Sequence, residues 1–248
     1  ATDLMGTLIS ALCHDVNHTG RNNNFEVATS SKLANRYHDE SVLEHHHIAT
    51  TFDLLQMPGC NIFSKLPVQV RKDLRKIIVA AILATDMTKH FPLTNSLKTL
   101  VNDKGSYKEL SNVEESDKYL IIEIMVHSAD LSSPTKRFDL AEEWGQLISK
   151  EMSNTAEEEK RHFGLPIPEH MHGLEDDRRR WDQETKFLGF VVRPLFAELA
   201  RFMPETSHCL KNLDANVRQY SKLLDENLLP EDSSKGREEE EKRRKKHQ

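Results

Sequence analysis

The sequence has little of what most β-rich, secreted or membrane-spanning proteins contain. Its 248 residues include only 9 glycines, 9 prolines and 3 cysteines, and aromatic residues make up 6% of the chain. Because turn-forming residues are scarce and apolar residues recur at helical spacing, the sequence predicts an all-α fold, a compact multi-helix domain. No apolar run is long enough to cross a bilayer and no signal peptide opens the chain, so we expect no direct membrane segment.

An excess of positive charge is also lacking. Acidic residues outnumber basic ones by 40 to 34, which gives a net charge of -6 at pH 7. Such a surface has no general attraction for a polyanion, so we expect no nucleic acid partner. Cys13, Cys60 and Cys209 are an odd set without paired spacing, as is typical of free thiols in a reducing compartment. The sequence therefore predicts a soluble, cytoplasmic protein and leaves its oligomeric state unknown.

Histidine is the residue in excess, with 13 copies, many of them beside acidic residues. His14 and Asp15 follow an apolar stripe that predicts a buried helix over residues 3–13. An imidazole and a carboxylate at one helix end are the ligand mixture that zinc- and manganese-type ions accept. His18 lies four residues after His14 and points into the same region if the helix ends near Asp15. The alternative is that both histidines are ordinary polar residues at a helix terminus.

Glu44 has two interpretations. Ser41-Val42-Leu43-Glu44 has the form of a capping box, in which Glu44 bonds back to the Ser41 backbone N–H, and this is the favoured reading. Glu44 is also followed at once by three histidines, His45 to His47, and such acid and imidazole clusters surround metals and their waters. One residue can serve both roles.

Two further apolar helices carry polar groups near their ends. A helix predicted over residues 69–89 has Thr85 and Asp86 on its last turn, where Thr85 is either a satisfied core hydroxyl or a group directed into a site. The apolar run that begins at Tyr119 leads to Asp130. This carboxylate at the tip of a buried helix repeats the arrangement of Asp15.

The last part of the chain is predicted to be helical and then to change character. Residues 176–203 form a helical pattern that Pro194 should kink or break. We assign residues 1–230 to one domain. Residues 231–248 alternate blocks of acidic and basic residues without an apolar face, so they are expected to be a disordered tail or a solvated helix.

Four blocks of residues, taken together, resemble the class I cyclic nucleotide phosphodiesterases in order and spacing from Ala1 to about Phe202. They are His14-Asp15 with His18, Ser41 to Glu44 with His46-His47, Leu83 to Met87, and His127 to Ser132. The resemblance implies an all-helical catalytic domain, apparently lacking its N-terminal part. It further implies hydrolysis of 3′,5′-cyclic nucleotides (cAMP, cGMP or both) to nucleoside 5′-monophosphates by a metal-bridging hydroxide at a Zn²⁺ and Mg²⁺ (or Mn²⁺) site.

The resemblance also assigns roles position by position. The implied zinc ligands are His14, Asp15 and Asp130, with Asp15 also bridging to the second metal. The residues implied to hold catalytic waters at the second metal are His18, Glu44 and Thr85. Those implied at the base are Ile148 and Phe187 as two apolar walls, with Leu131 and Ser133 near them.

This sequence departs from the family pattern in two places. A His-Asn-x-x-His segment that supplies the general acid and another zinc ligand belongs upstream of Ala1. We therefore expect the chain to lack its native N-terminal part and residues 1–248 alone to be weakly active or inactive. The second departure is Glu184, which stands where the family binds the base with glutamine; the competing explanation is a local register shift that brings the neighbouring Gln183 to the base. An ionised carboxylate only accepts hydrogen bonds, which favours guanine over adenine.

Two other functions fit parts of the pattern. Another phosphohydrolase of the wider His-Asp superfamily would share His14 and Asp15, but does not account for Glu44, Thr85 and Asp130 in this order. A catalytically impaired cyclic-nucleotide-binding or scaffold domain is favoured by the missing acid and by Glu184.

Overall fold

Every regular element of the structure, a computed structural model that describes residues 1–110, 113–164, 166–167 and 169–226, is a helix. The all-α prediction is therefore confirmed, and none of the described helices is long and apolar enough to span a membrane. The predicted tail, 231–248, lies outside the described residues. The α-helices are α1 (Thr2–Cys13), α2 (Asn23–Ala28), α3 (Lys32–Tyr37), α4 (Val42–Gln56), α5 (Val68–Leu83), α6 (His90–Lys104), α7 (Glu115–Asp130), α8 (Phe138–Phe163), α9 (Asp177–Phe187), α10 (Arg193–Phe202) and α11 (Ser207–Glu226).

Helix α7 lies between two apolar clusters. On one side it contributes Ile124 to a cluster with α6, α10 and α11. On the other side Ile122 and Val126 pack against Ile77 and Ala81 of α5. A separate cluster on α5, centred on fully buried Ile78, joins that helix to α1 and α4. Because α7 is packed from both sides, the position of its C-terminal end is fixed by the core.

Helices α1 and α5 approach closely at Gly6. A Cβ atom at this position would lie 2.6 Å from Cγ2 of Ile77, which is a van der Waals overlap. Ser10, one turn later, is buried and donates its hydroxyl to the Gly6 carbonyl at 2.7 Å. The absence of a side chain at Gly6 therefore sets how near α1, and the residues that follow it, lie to the rest of the fold.

We expect Gly6→Ala to lower the free energy of unfolding by about 1–3 kcal/mol, because overpacking of Ile77 outweighs the helix propensity that alanine gains. Urea unfolding followed by circular dichroism measures this change. Gly189→Ala is the matched control, since a Cβ there meets no atom within 4 Å. Equal unfolding midpoints for the two variants would show that the contact carries no energy.

The helix predicted over residues 69–89 was too long. It runs from Val68 to Leu83, so Thr85 and Asp86 lie beyond its end and not on its last turn. Asp86 accepts the Thr88 backbone N–H at 2.8 Å and opens a short 3-10 helix, Met87–Lys89. Side-chain bonds of this kind compete with helical backbone bonds, and the apolar periodicity alone did not reveal the stop.

The predicted break of the helix at Pro194 is not seen: the helical path continues through it, and the regular α-helical bonding changes upstream of Pro194 instead. Helix α9 ends at Phe187, a π-helical segment covers Leu188–Val192, and Pro194 lies in the first turn of α10. The Arg193 N–H bonds to the Leu188 carbonyl five residues back. Because proline has no N–H to donate, the turn before it adopts a wider helix and the chain continues without a break.

Candidate active site

Two helix ends bring an imidazole and two carboxylates together. His14 and Asp15 follow α1, and Asp130 is the last residue of α7. The Nε2 atom of His14 lies 3.2 Å from Asp130 Oδ1 and 3.6 Å from Asp15 Oδ2. The three residues predicted as metal ligands therefore lie in one cluster, although His14 and Asp130 are 116 positions apart in the sequence.

The tautomer of His14 is set by the backbone. Its Nδ1 lies 2.9 Å from the Ala11 carbonyl, which can only accept, so Nδ1 carries a proton and Nε2 faces the carboxylates. The hydrogen bond with Asp130 raises the pKa of His14 to about 9, against the opposing effect of burial. A ring nitrogen that faces two carboxylates must hold either a proton or a cation, so this donor set fits a metal ion.

The other oxygen of Asp15 faces a second histidine. His47 Nε2 lies 3.6 Å from Asp15 Oδ1, and its Nδ1 donates to the Val16 carbonyl at 2.9 Å. Burial lowers the pKa of His47, so its neutral ring directs a lone pair toward a carboxylate oxygen. A cation between Nε2 and Oδ1 would remove that repulsion, and the arrangement therefore fits a second metal position.

His18 has the opposite tautomer. The Gly20 backbone N–H donates to its Nδ1 at 3.0 Å, so the neutral ring carries its proton on Nε2. Its ring is stacked on that of His47, with centroids 5.7 Å apart. His18, His47 and Asp15 each offer a ligand-type atom within 4.8 Å of the others, as do His14, Asp15 and Asp130, so Asp15 is common to both groups. His18 is thus suited to donate a hydrogen bond from Nε2, and His47 is suited to bind a cation through Nε2.

His47 is the site residue that the sequence pattern did not single out. Three adjacent histidines hide which one faces the cluster, because adjacent helical residues point in directions about 100° apart. The spacing from Glu44 to His47, three residues on α4, was the available signal. His46 instead accepts from Asn17 at 3.0 Å, and His45 stacks on Tyr37.

The capping-box interpretation of Glu44 is wrong. Ser41 has a left-handed backbone, with φ of 41°, makes no side-chain cap and donates its hydroxyl to Asp86 at 2.6 Å. The Glu44 carboxylate is buried and accepts from Asn23 Nδ2 at 2.9 and 3.3 Å. Burial raises the pKa of Glu44, with the Asn23 bonds opposing it. Tertiary contacts therefore replace the local capping motif: Glu44 bonds to the first residue of α2, and Ser41 bonds to Asp86.

Thr85 lies next to this region, since Asp86 accepts the Ser41 hydroxyl at the start of α4. The Thr85 side chain is buried and donates to the Ile82 carbonyl at 2.8 Å. Its hydroxyl is satisfied as a donor, and its oxygen still has a lone pair free to accept a bond from water.

A cavity of about 380 Å³ opens beside Asp130. This size falls within the roughly 300–1,000 Å³ of small-molecule sites. Ile148 and Phe187 are 45% and 38% exposed, which leaves two large apolar walls facing the opening. The cavity is lined by every residue that was predicted to contact the base: Leu131, Ser133, Ile148, Glu184 and Phe187. Gln183 lines it as well.

Glu184 lines the cavity beside α8. Its Oε1 would be 3.0 Å from a Cβ atom at Gly145, so the carboxyl group lies in the space that the absence of a side chain at Gly145 leaves. Burial raises the pKa of Glu184 to about 7, and the neighbouring carboxylate of Glu142 adds to the shift, while Arg180 opposes it. Glu142 itself is paired with Arg180 at 2.8 Å.

Comparison with known proteins shows which family the sequence matches. The model of the 3′5′-cyclic nucleotide phosphodiesterase family matches residues 1–213. The chain is 37% identical over 227 residues to the 3′,5′-cyclic-AMP phosphodiesterase of Drosophila melanogaster, isoform F, covering 88% of this chain and 33% of that protein. Isoforms N/G match equally well and are covered to 22%. The chain thus spans a third or less of the length of these curated relatives.

The fold also matches a solved structure of a phosphodiesterase domain. The phosphodiesterase domain of the RhoPDE fusion protein from the choanoflagellate Salpingoeca rosetta superimposes with a TM-score of 0.86 at 31% identity. The match covers 91% of this chain and 70% of that one.

Proposed function

The chain belongs to the 3′,5′-cyclic nucleotide phosphodiesterase family, and on that premise we propose that it hydrolyses a 3′,5′-cyclic nucleotide to the nucleoside 5′-monophosphate. One observation carries the proposal: Asp130 is a member of the His14 cluster and also lines the 380 Å³ cavity. A nucleotide in that cavity can therefore place its phosphate at the charged cluster and its base between the apolar walls. Residues 1–230 would form the catalytic domain.

The metal ions would be Zn²⁺ together with Mg²⁺ or Mn²⁺. His14, Asp15 and Asp130 would hold one ion, and Asp15 with His47 would hold the other. Such a pair of cations supplies Lewis-acid stabilisation of phosphoryl oxygens and a water of lowered pKa. Asp15 is suited to serve both ions because its two oxygens face different histidines.

The chain's own residues would orient the reactants. The Nε2–H of His18 donates to a water or a phosphoryl oxygen, and the Glu44 carboxylate accepts from water. Thr85 offers a hydroxyl oxygen in the same region. A water molecule attacks phosphorus from the side opposite O3′, so that a new P–O bond forms as the P–O3′ bond breaks. The water loses one proton, and the departing O3′ takes one from a general acid, so the numbers of protons balance. The O5′ ester stays intact, so the product is the 5′-monophosphate.

The base would lie between Ile148 and Phe187, near Leu131 and Ser133, with its polar edge toward Glu184. When protonated, Glu184 offers one donor and one acceptor, as glutamine does, and suits adenine or guanine. When ionised, it accepts two bonds and suits the N1–H and amino group of guanine. We propose that both cAMP and cGMP are substrates and that Glu184 governs their ratio.

The test is an assay on the full-length protein with Zn²⁺ and Mg²⁺ supplied, in which chromatography detects AMP and GMP formed from the two cyclic nucleotides. Metal content is measured in parallel by mass spectrometry. Release of 5′-monophosphate with bound zinc supports the proposal. Cleavage of nucleoside triphosphates or phosphomonoesters instead would favour the wider phosphohydrolase superfamily. Tight cyclic nucleotide binding without product would favour a binding or scaffold domain.

We also propose a cytoplasmic location. Cys13, Cys60 and Cys209 are free thiols, and two of them are at least partly shielded from solvent. Free thiols persist in reducing compartments, which supports this assignment. Imaging of a fluorescent fusion of the full-length protein in intact cells, together with cell fractionation, tests this location.

A further inference from the structure

Two completely buried imidazoles meet where α6 packs against α7, one helical turn before Asp130. His90 is the first residue of α6, and His127 lies in the last turn of α7. Both side chains are 0% exposed, and His90 Nδ1 lies 2.9 Å from His127 Nε2. None of the roles assigned above uses either residue.

A single carbonyl fixes the direction of the hydrogen bonds in this pair. His90 Nε2 lies 3.1 Å from the Val191 carbonyl oxygen, which can only accept, so His90 donates from Nε2. The Nδ1 of neutral His90 must then accept, and His127 donates to it from Nε2. Burial lowers the pKa of both rings, that of His127 to about 4, so both are neutral at pH 7. The result is an ordered chain from His127 through His90 to Val191.

Each end of this chain belongs to an element that lines the cavity. Val191 is in the π-helical segment that follows Phe187, the apolar wall. At the other end of the chain, the Leu131 N–H donates to the His127 carbonyl at 3.2 Å, and Leu131 also lines the cavity. The chain of hydrogen bonds therefore connects the backbone segments that carry two of the residues lining one cavity.

We propose that His90 and His127 are positioning residues that set the distance between the Phe187 wall and Leu131, the cavity residue that follows α7. The assignment of this cavity to a nucleotide rests on the proposed function. A role in stability alone fits less well, because His127 Nδ1 is buried and has no hydrogen-bond partner among the described residues. An unpaired buried acceptor is costly, and an apolar pair of similar volume would avoid that cost.

The test compares two substitutions of His127. Gln places an amide donor at the position of Nε2 and keeps the bond to His90, whereas Phe fills the same space and removes it. We expect His127→Phe to raise KM for the cyclic nucleotide about tenfold while kcat stays within about twofold, as follows when binding geometry is lost and the reacting groups are intact. His127→Gln should restore KM. His90→Asn keeps the acceptor but loses the donor to Val191, so it should raise KM as His127→Phe does.

A second measurement does not depend on turnover. In ¹⁵N-labelled protein at pH 7, long-range ¹H–¹⁵N spectra should show His90 and His127 as neutral rings protonated on Nε2. A charged ring, or a proton on Nδ1 of either residue, overturns the proposal even if the protein is an active hydrolase. Equal KM values for His127→Phe and wild type also overturn it, as does equal impairment by Phe and Gln. If no hydrolysis is found, binding of AMP by calorimetry replaces KM in the same comparison.

Discussion

Asp15→Asn is expected to lower kcat/KM for cyclic nucleotide hydrolysis by about 10³-fold or more, because one carboxylate serves both proposed cation positions. Its Oδ2 faces His14 and its Oδ1 faces His47, each at 3.6 Å. Asparagine keeps the shape but has one oxygen and no charge, so it can satisfy at most one of the two positions. Steady-state kinetics and metal content by mass spectrometry, on the same preparation, measure the effect.

The control for this substitution is Asp139→Asn. Asp139 lies in the first turn of α8, is exposed and forms an ion pair with Arg137. The chemical change is identical, so any effect of lost charge in general appears in both variants. Thermal unfolding shows whether Asp15→Asn remains folded. Turnover within tenfold of wild type, with full metal content, would remove Asp15 from its proposed role.

Glu184→Gln is expected to lower the ratio of cGMP to cAMP hydrolysis by about tenfold at pH 8, since a hydrogen-bonding mismatch at a buried base edge costs about this much. At that pH the wild-type carboxyl group, with its pKa of about 7, is mostly ionised and accepts two bonds from guanine. Glutamine offers a donor and an acceptor to either base. Competition between the two labelled substrates in one assay measures the ratio directly.

The pH dependence of this ratio follows from the same carboxyl group. Its pKa is raised, so the protonated form, which resembles glutamine, prevails below pH 7, and the ionised form prevails above it. The cGMP to cAMP ratio of the wild type should therefore rise between pH 6 and pH 8, and that of Glu184→Gln should stay flat. The charged groups around Glu184 are Glu142 and Arg180, with the phenol of Tyr220 nearby.

Gln183→Ala separates the two neighbours that line the cavity. If Glu184 contacts the base, Gln183→Ala leaves the ratio and its pH dependence unchanged. If Gln183→Ala shifts the ratio and Glu184→Gln does not, the base is read one position earlier.

The sequence predicted the helices at whose ends His14, Asp15 and Asp130 lie, and the structure brings these three residues into one cluster. The prediction that the leucine stripe of α1 is buried was wrong, because Leu4, Leu8 and Leu12 are exposed and the helix packs on α5 through its other face. The positions of His47 and Glu44 depend on which face of α4 packs against the residues after α1 and the start of α2, and these are tertiary contacts. The failure at Ser41 has the same origin, since its hydroxyl bonds to Asp86, 45 residues away. The contact between buried His90 and His127 could not be predicted from spacing, because the two residues lie on different helices.

The contact between His14 and Asp130 also has a topological consequence. These residues are 116 positions apart, so an ion shared by them would act as a reversible crosslink that closes about half of the chain into a loop. In a simple chain model, closing a loop of this length raises the free energy of the denatured ensemble by roughly 4–5 kcal/mol at 25 °C, because it removes conformational entropy. The same ion that takes part in catalysis would then link the end of α1 to the end of α7. Chelators would therefore lower the free energy of unfolding as well as abolish activity.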